Sequence, residues 1–592
     1  MTSPLPPFDL RSAPFSRRGS WLNLSPVVAA HRTVDDVHLI SHRTGMHAVL
    51  SLVPAAAETN GRWNVDADAA RVHWSDGIRS VRAVFATTDT LRVRGDAGST
   101  LRLAEAAAEL TPFTGIYLFR DPRDGSAVFT SYETGCRYRV TAIEGTLRID
   151  GAEALGAATR AVTVAGIDGG HGWEIAIEEF ETSRPPFAAD APFDACLAEV
   201  EREFRAYAHA VAPWTDDPLA APALRTASLL AAYVLWSATV APAGFFARES
   251  VLMSKHWMDK VWSWDHCFNA IALASGLPEL ALDQFLTPFD HQDPSGALPD
   301  SIAHSERLYN FVKPPIHGWA LGRLRAEGVE LTPAQRRDVY DKLTRWTRFW
   351  LDERRVPGHA LPHYQHGNDS GWDNATTFDR TRLVESPDLA AFLLLQLDAL
   401  VGLAHELGED ASGWVEESER IAAALEGELW RGDGYVARGA VDGVDATRSS
   451  LLPSISVVAA DRLPAAAQDA LAGGIAGFLT PWGPATERPD SEHYADDGYW
   501  RGPIWAPSTM LIEDGLRRAG QTALADDISA RFRRLCENGG FAENFDARTG
   551  EGLRDRAYTW TAAVYLIFAR DAVRRDAGKH QGAGGEREVA RA

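Results

Sequence analysis

The hydrophobic period of this chain changes once, between about residues 185 and 220, from two to 3.6. That switch constrains the fold more than any other feature, because a pattern written for strands cannot settle as helices. Up to about residue 185, segments such as "SVRAVF", "LRVR", "CRYRVTAI" and "WEIAI" alternate apolar and polar residues, as half-buried antiparallel strands do. Gly- and Asp-rich turns separate them. The expectation is an N-terminal β-sandwich over residues 1–185. "RPPF" at Arg184 to Phe187 closes the strand region, and "DACLAEVEREFRAYAHAV" reads as a linker helix within 186–219.

From about residue 220 the apolar stripes have helical spacing. In "ESPDLAAFLLLQLDALVGLAHEL", Ser386 suits the N-cap, Pro387 the first turn and Asp388 the positive dipole end. Leu389, Phe392, Leu393, Leu397, Leu400, Leu403 and Leu407 make one apolar face, interrupted only by Gln396. Similar helices recur to residue 575 with almost no strand signal, and no fixed repeat length argues for an open solenoid. Helical hairpins closed into an (α/α) barrel over 220–575 fit this pattern. The Gly-rich polar segment 576–592 reads as a disordered tail. At 592 residues the chain exceeds what one ordinary core holds, so two domains also suit its length.

A net charge of −22 disfavours nucleic acid and anionic membranes as partners. Cys136, Cys196, Cys267 and Cys536 are scattered without a CxxC pair, so neither a disulfide framework nor a zinc site is expected. Thr226 to Ala247 carries no charge, but its Ser and Thr content and Pro242 favour a core helix over a membrane span. No apolar leader precedes the first strand, and a cytoplasmic location is the expectation.

Nineteen tryptophans are the first chemical clue. Trp262 and Trp264 adjoin Asp265, Trp319 follows Lys313 and His317 in "KPPIHGWA", Trp372 adjoins Asp373, and Trp500 and Trp505 flank Arg501 in "DGYWRGPIW". Indole faces stack on the C–H faces of sugar rings, while neighbouring carboxylates accept from hydroxyls. Large aromatics also fill large cores, but four clusters pairing Trp with charged residues in loop-like context favour a binding site.

Glycoside cleavage needs two carboxyl groups in unlike environments, one protonated and one ionised. An acid beside an indole in a partly dry turn has its pKa raised by desolvation, and Asp373 in "SGWDN" has that setting. Helix capping or cation binding by Asp369, Asp373, Asn374 and Asp379 is the alternative, although their spacing does not match an EF-hand loop. A second candidate is Glu543 in "GGFAENFDARTGEG", an acid following an apolar pair. Glu385, Glu492 and Asp496 compete with it on the same grounds.

Together, "KVWSWDHCF", "KPPIHGWA", "SGWDNATTFD", "SPDLAAFL", "DGYWRGPIW" and "AENFDARTG" resemble, in order over about residues 250–570, the motifs of glycoside hydrolase family 63 and its bacterial α-glucosidase-like and mannosylglycerate and glucosylglycerate hydrolase-like relatives. The resemblance implies an (α/α)6 barrel and an inverting α-glycosidase, with Asp373 as general acid and Glu543 as general base. It implies that Trp262, Trp264 and Asp265 line the sugar pocket. Gly371 and Trp372 would approach it closely, Tyr499 and Trp500 would close it, and Lys313 and His317 would shape its wall. One departure is Ala375–Thr376, where the family more often has Ser-Pro. That loop borders the leaving-group side, so aglycone preference does not carry over; Arg501 is the nearest basic residue.

The expectation is therefore hydrolysis of a small α-glucoside or related α-glycoside, with no cofactor or metal and a small carbohydrate as the partner. Alternatives are a glycoside phosphorylase, a debranching-type α-glucosidase on the same barrel, and a non-catalytic carbohydrate-binding protein.

Overall fold

The computed structural model describes residues 5–56, 62–106, 116–153, 159–167 and 170–589, with side chains of the last helix through Ala577. The N-terminal region contains two antiparallel sheets. One has six strands, in spatial order Leu22–Ala29, Arg32–Ser41, His47–Ala56, Ser99–Glu105, Ala161–Ala165 and Thr146–Asp150. The other has eight, ordered Asn64–Ala67, Val72–Ser75, Ser80–Phe85, Thr90–Gly95, Trp173–Phe180, Arg137–Glu144, Ala127–Thr130 and Tyr117–Arg120. The period-two segments fall on these strands, and their inward residues form one core. Leu39, Leu52, Leu103 and Val164 come from the first sheet; Val81, Val93, Tyr138 and Ile177 come from the second.

Helix α1 (Phe193–Val211) leaves the sheets and leads into the helical region. There, α2 (Pro222–Ala238), α3 (His266–Leu273), α4 (Pro278–Leu286), α5 (His317–Ala326), α6 (Pro333–Arg348), α7 (Pro387–Leu407) and α8 (Ser412–Ala424) follow in turn. A 3-10 segment, Leu452–Arg462, precedes α9 (Ala465–Ala476), α10 (Ala506–Arg518), α11 (Thr522–Gly539) and α12 (Thr559–Val589). Helix α3 packs on α5, α5 on α7, α7 on the 3-10 segment, that segment on α10, α10 on α12, and α12 back on α3. This closed ring of six inner elements alternates along the chain with six outer ones: α2, α4, α6, α8, α9 and α11. The arrangement is an (α/α)6 barrel.

Local chemistry explains several junctions. Thr332 and Gln335 form a reciprocal capping box at the start of α6, with Pro333 in its first turn. Ser386 does not cap α7 with its hydroxyl as its position suggested; the hydroxyl donates to the Asp388 carboxylate instead. Gln396 is the polar break in the α7 stripe because α5 needs it there. Its Oε1 accepts from Gly318 N at 3.2 Å, its Nε2 donates to Thr347 Oγ1 at 3.0 Å, and Gly318 lies against its backbone.

Among the described residues, α7 alone is long and apolar enough to cross a membrane, and here it belongs to the inner ring. The charge-free stretch from Thr226 forms α2 only to Ala238, then turns into a two-residue strand, Thr239–Val240. Helix α12 continues to Val589, so the polar segment from 576 has helical backbone; residues 590–592 lie outside the described residues.

Candidate active site

The inner helices share one polarity around the ring, and the loops entering their N-termini meet at one end of the barrel. Asp265 immediately precedes α3, Lys313 lies four residues before α5, and the Gly371–Asp379 loop lies on the approach to α7. Trp500 and Trp505 precede α10, and Glu543 and Tyr558 precede α12. Helix N-termini carry partial positive charge, which suits a site rich in acids.

The floor is aromatic. Trp500 stacks on Trp505 with centroids 4.0 Å apart and planes at 6°, and on Trp372 at 4.7 Å. Trp264 meets Trp500 at 6.4 Å and Trp560 edge-on at 6.0 Å. Gly371 has φ +75°, and a Cβ there would lie 2.5 Å from the Trp264 ring, so only glycine allows this approach. Tyr499 sits over the same floor with φ +64°, a conformation rare for a bulky residue and typical of sites where the surroundings enforce strain. The Trp505 indole N–H donates to the Tyr499 carbonyl at 2.8 Å, which helps to hold that strained turn.

Against this floor stand the acids. Burial raises Asp265 to about 8 against the pull of Lys313, and Asp300 and Asp373 raise it further. One Asp265 oxygen, Oδ2, is buried without a hydrogen-bond partner. Asp373 is half-buried. Desolvation raises it above the usual carboxylate range, Lys313 opposes this, Asp300 adds to it, and a hydrogen bond from the Tyr499 hydroxyl favours the ionised form. Glu543 is pushed up to about 8, first by burial and then by the Asp555 charge, against Arg554, with Asp373 contributing a further upward push. Burial, then the charges of Glu543 and Asp373, raises Tyr499 as well. Two acids more than 150 residues apart in sequence thus act on one another's surroundings and on the same tyrosine.

The loops are clamped by residues that look catalytic in sequence but are structural here. Asp369 accepts from Arg354 at 2.8 Å and from the backbone of Val312 and Gln365. Asn374 donates to the Gly498 carbonyl at 3.0 Å and accepts from Trp500 N at 3.0 Å, while Arg501 binds the Asn374 carbonyl and Asp379, both at 2.6 Å. Asp373 alone of that acid-rich turn is left in the cluster. The competing acids fall elsewhere: Glu385 is tied to His359 at 2.6 Å and Arg438 at 2.8 Å, Glu492 is exposed, and Asp496 pairs with Arg548.

Of the sequence-derived residues, the structure gathers Trp264, Asp265, Lys313, Gly371, Trp372, Asp373, Tyr499, Trp500 and Glu543. Lys313 binds Asp300 at 3.0 Å and the Asn368 carbonyl at 2.8 Å. Trp262 is half-buried on the strand paired with Ser301–Ile302, adjoining Asp300. His317 is not brought into the cluster. Its ring packs among Phe285, Phe289, Trp346 and His266, between the barrel layers, where burial drives its pKa well below the usual value. As the first residue of α5 it is rotated outward. Residues that sequence reasoning missed are Asp300, Arg554, Asp555, Tyr558 and Trp560. The "YTW" at the start of α12 in "RAYTWTAA" was a usable signal for the last two; Asp300 in "GALPDS" carries none.

Residues 258–561 match the model of the mannosylglycerate hydrolase MGH1-like glycoside hydrolase domain. The chain is 26% identical over 400 residues to a mannosylglycerate hydrolase of Rubrobacter radiotolerans, covering 52% of this chain and 89% of that one. It resembles the crystal structure of the GH63 mannosylglycerate hydrolase from Thermus thermophilus in complex with glucose, with a TM-score of 0.51, 22% identity, and coverage of 57% of this chain and 98% of the other. A bacterial glucoamylase complexed with acarbose matches at a TM-score of 0.59 and 12% identity, covering 96% of this chain and 95% of that one. At these identities the two structural likenesses speak for the fold.

Proposed function

Since this chain belongs to the mannosylglycerate hydrolase MGH1-like glycoside hydrolase family, we propose that it hydrolyses a small α-glucoside or related α-glycoside with inversion, using Asp373 as general acid and Glu543 as general base. The observation that carries this reading is the shared environment of the two carboxyls, each raised by burial and Glu543 feeling the charge of Asp373. Burial favours the protonated form of each carboxyl, and the charge of Asp373 adds a smaller push on Glu543. An inverting pair needs a protonated acid at the leaving oxygen and an ionised base on the water opposite, with carboxyls about 6.5–9.5 Å apart. The family motif assigns the acid to Asp373, and Arg554 beside Glu543 favours the ionised base once water enters.

In this reading the buried stack of Trp372, Trp500 and Trp505 backs the sugar subsite, and Asp265, with an oxygen free, meets a sugar hydroxyl. Tyr499 steadies the ionised form of Asp373 through its hydroxyl. The hexosylglycerates suggested by the named relatives and neutral α-linked disaccharides are the substrates to compare. Incubation with both sets, with and without phosphate, tests the reading: free hexose released without phosphate supports it. Release that depends on phosphate would replace it with phosphorolysis, and no release from any of them would overturn it.

A further inference from the structure

The residue behind Glu543 is Asp555, fully buried and hydrogen-bonded to a histidine from a distant part of the chain. Asp555 carries Glu543 in two ways. Its carbonyl accepts the Glu543 N–H at 2.7 Å, and its carboxylate charge is felt by the Glu543 side chain. Oδ1 of Asp555 accepts from Ala557 N at 3.1 Å and from His256 Nδ1 at 3.0 Å, and His256 is itself 1% exposed. The Asp555 carbonyl thereby fixes the Glu543 backbone, and the Asp555 carboxylate repels a Glu543 carboxylate turned toward it.

His256 sits at the tip of a tight turn, with Met253 N donating to Lys260 O at 2.9 Å and Ser254 N to Met258 O at 3.0 Å. The N-terminal sheets hold that tip. Asn23 of the first strand donates to the Lys255 carbonyl at 2.5 Å, and its amide also meets His42 Nε2 at 2.9 Å. His42 Nδ1 in turn meets Asp259 at 2.9 Å. The Lys255 side chain is wholly buried, and its Nζ donates to oxygens of Ser16, Ser20 and Ser237. Burial drives its pKa well below the usual lysine value and so favours the neutral amine, which these three oxygens hold at the point where the turn plugs into the N-terminal domain.

We propose that His256 and Asp555 form a positioning pair for Glu543, and that the N-terminal sheet domain anchors this pair through the 253–260 turn. The proposal rests on reading Glu543 as the general base. It makes the sheet domain part of the catalytic framework, because the donor that fixes Asp555 is held from its side.

Two amides of similar polarity separate positioning from simple packing. In His256→Asn the amide nitrogen falls near the place of Nδ1 and can reach Asp555; in His256→Gln it falls near the place of Nε2 and cannot. The pair predicts that His256→Gln lowers kcat roughly ten- to hundredfold with KM nearly unchanged, as a misplaced catalytic group does, while His256→Asn stays close to wild type. Both kcat values are taken per folded protein, from melting curves of each variant. Equal kcat in both variants, whether retained or lost together, would overturn the proposal. Glu543→Gln in the same assay separates the two failures. If it is active, the general-base reading falls; if it is inactive while His256→Gln keeps full kcat, only the positioning pair falls.

Discussion

Gly371 and Trp264 touch where no side chain fits between them: a Cβ on Gly371 would lie 2.5 Å from Cζ2 of the indole, on a residue whose φ is +75°. The next residue, Trp372, stacks on Trp500, and Asp373 follows. The approach of the acid to the aromatic floor therefore depends on one missing methyl group. Gly371→Ala should destabilise the protein by on the order of 2–4 kcal/mol, the combined cost of the left-handed backbone and the overpacked contact. It should also raise KM by displacing Trp264. Thermal melting and steady-state kinetics check both; an unchanged melting point would show that the loop yields freely.

Asp373→Asn keeps the shape of the loop and removes the proton donor. For an ordinary α-disaccharide the rate should fall roughly 10²–10⁴-fold. For an α-glycosyl fluoride, whose leaving group needs no proton, the loss should be much smaller. Near-full activity on the disaccharide would count against the assignment.

Buried acids that hold their protons also set the response of stability to pH. Asp265 and Glu543 titrate near 8 when folded, whereas carboxyls of an unfolded chain titrate near 4. Between those values the folded form binds more protons, so raising the pH costs stability, by at most about 1.4 kcal/mol per pH unit for each such group. Melting temperature should fall from pH 5 to pH 8, and Asp265→Asn, which removes one of these groups, should flatten the slope. Parallel slopes for wild type and variant would mean that Asp265 is ionised in the folded state.

The division into sheets and helices was legible because hydrophobic period reports which faces are buried, and most of the sheet residues bury theirs in a core of their own. That Asp373, Glu543, Asp265 and Trp500 come to one end of the barrel was legible because each lies in a short polar and aromatic stretch of a loop leading to an inner helix, where packing alone asks for neither residue type. Asp300 and Asp555 were not, since an isolated acid in a turn carries no mark of the partner it meets after folding. His317 misled because its motif adjoins the pocket, while the rotation of the first turn of α5 sends its ring between the layers. Ser386 misled because a hydroxyl beside an aspartate has a nearer acceptor than the helix backbone offers a donor.

The stereochemistry of the first-formed sugar tests the central claim most directly. Proton NMR during the earliest turnover of an α-linked substrate, before mutarotation, reads the anomer released. Water activated by Glu543 on the face opposite Asp373 must yield the β-anomer first. First appearance of the α-anomer would mean retention through a covalent intermediate, and the acid–base pair described above would be wrong.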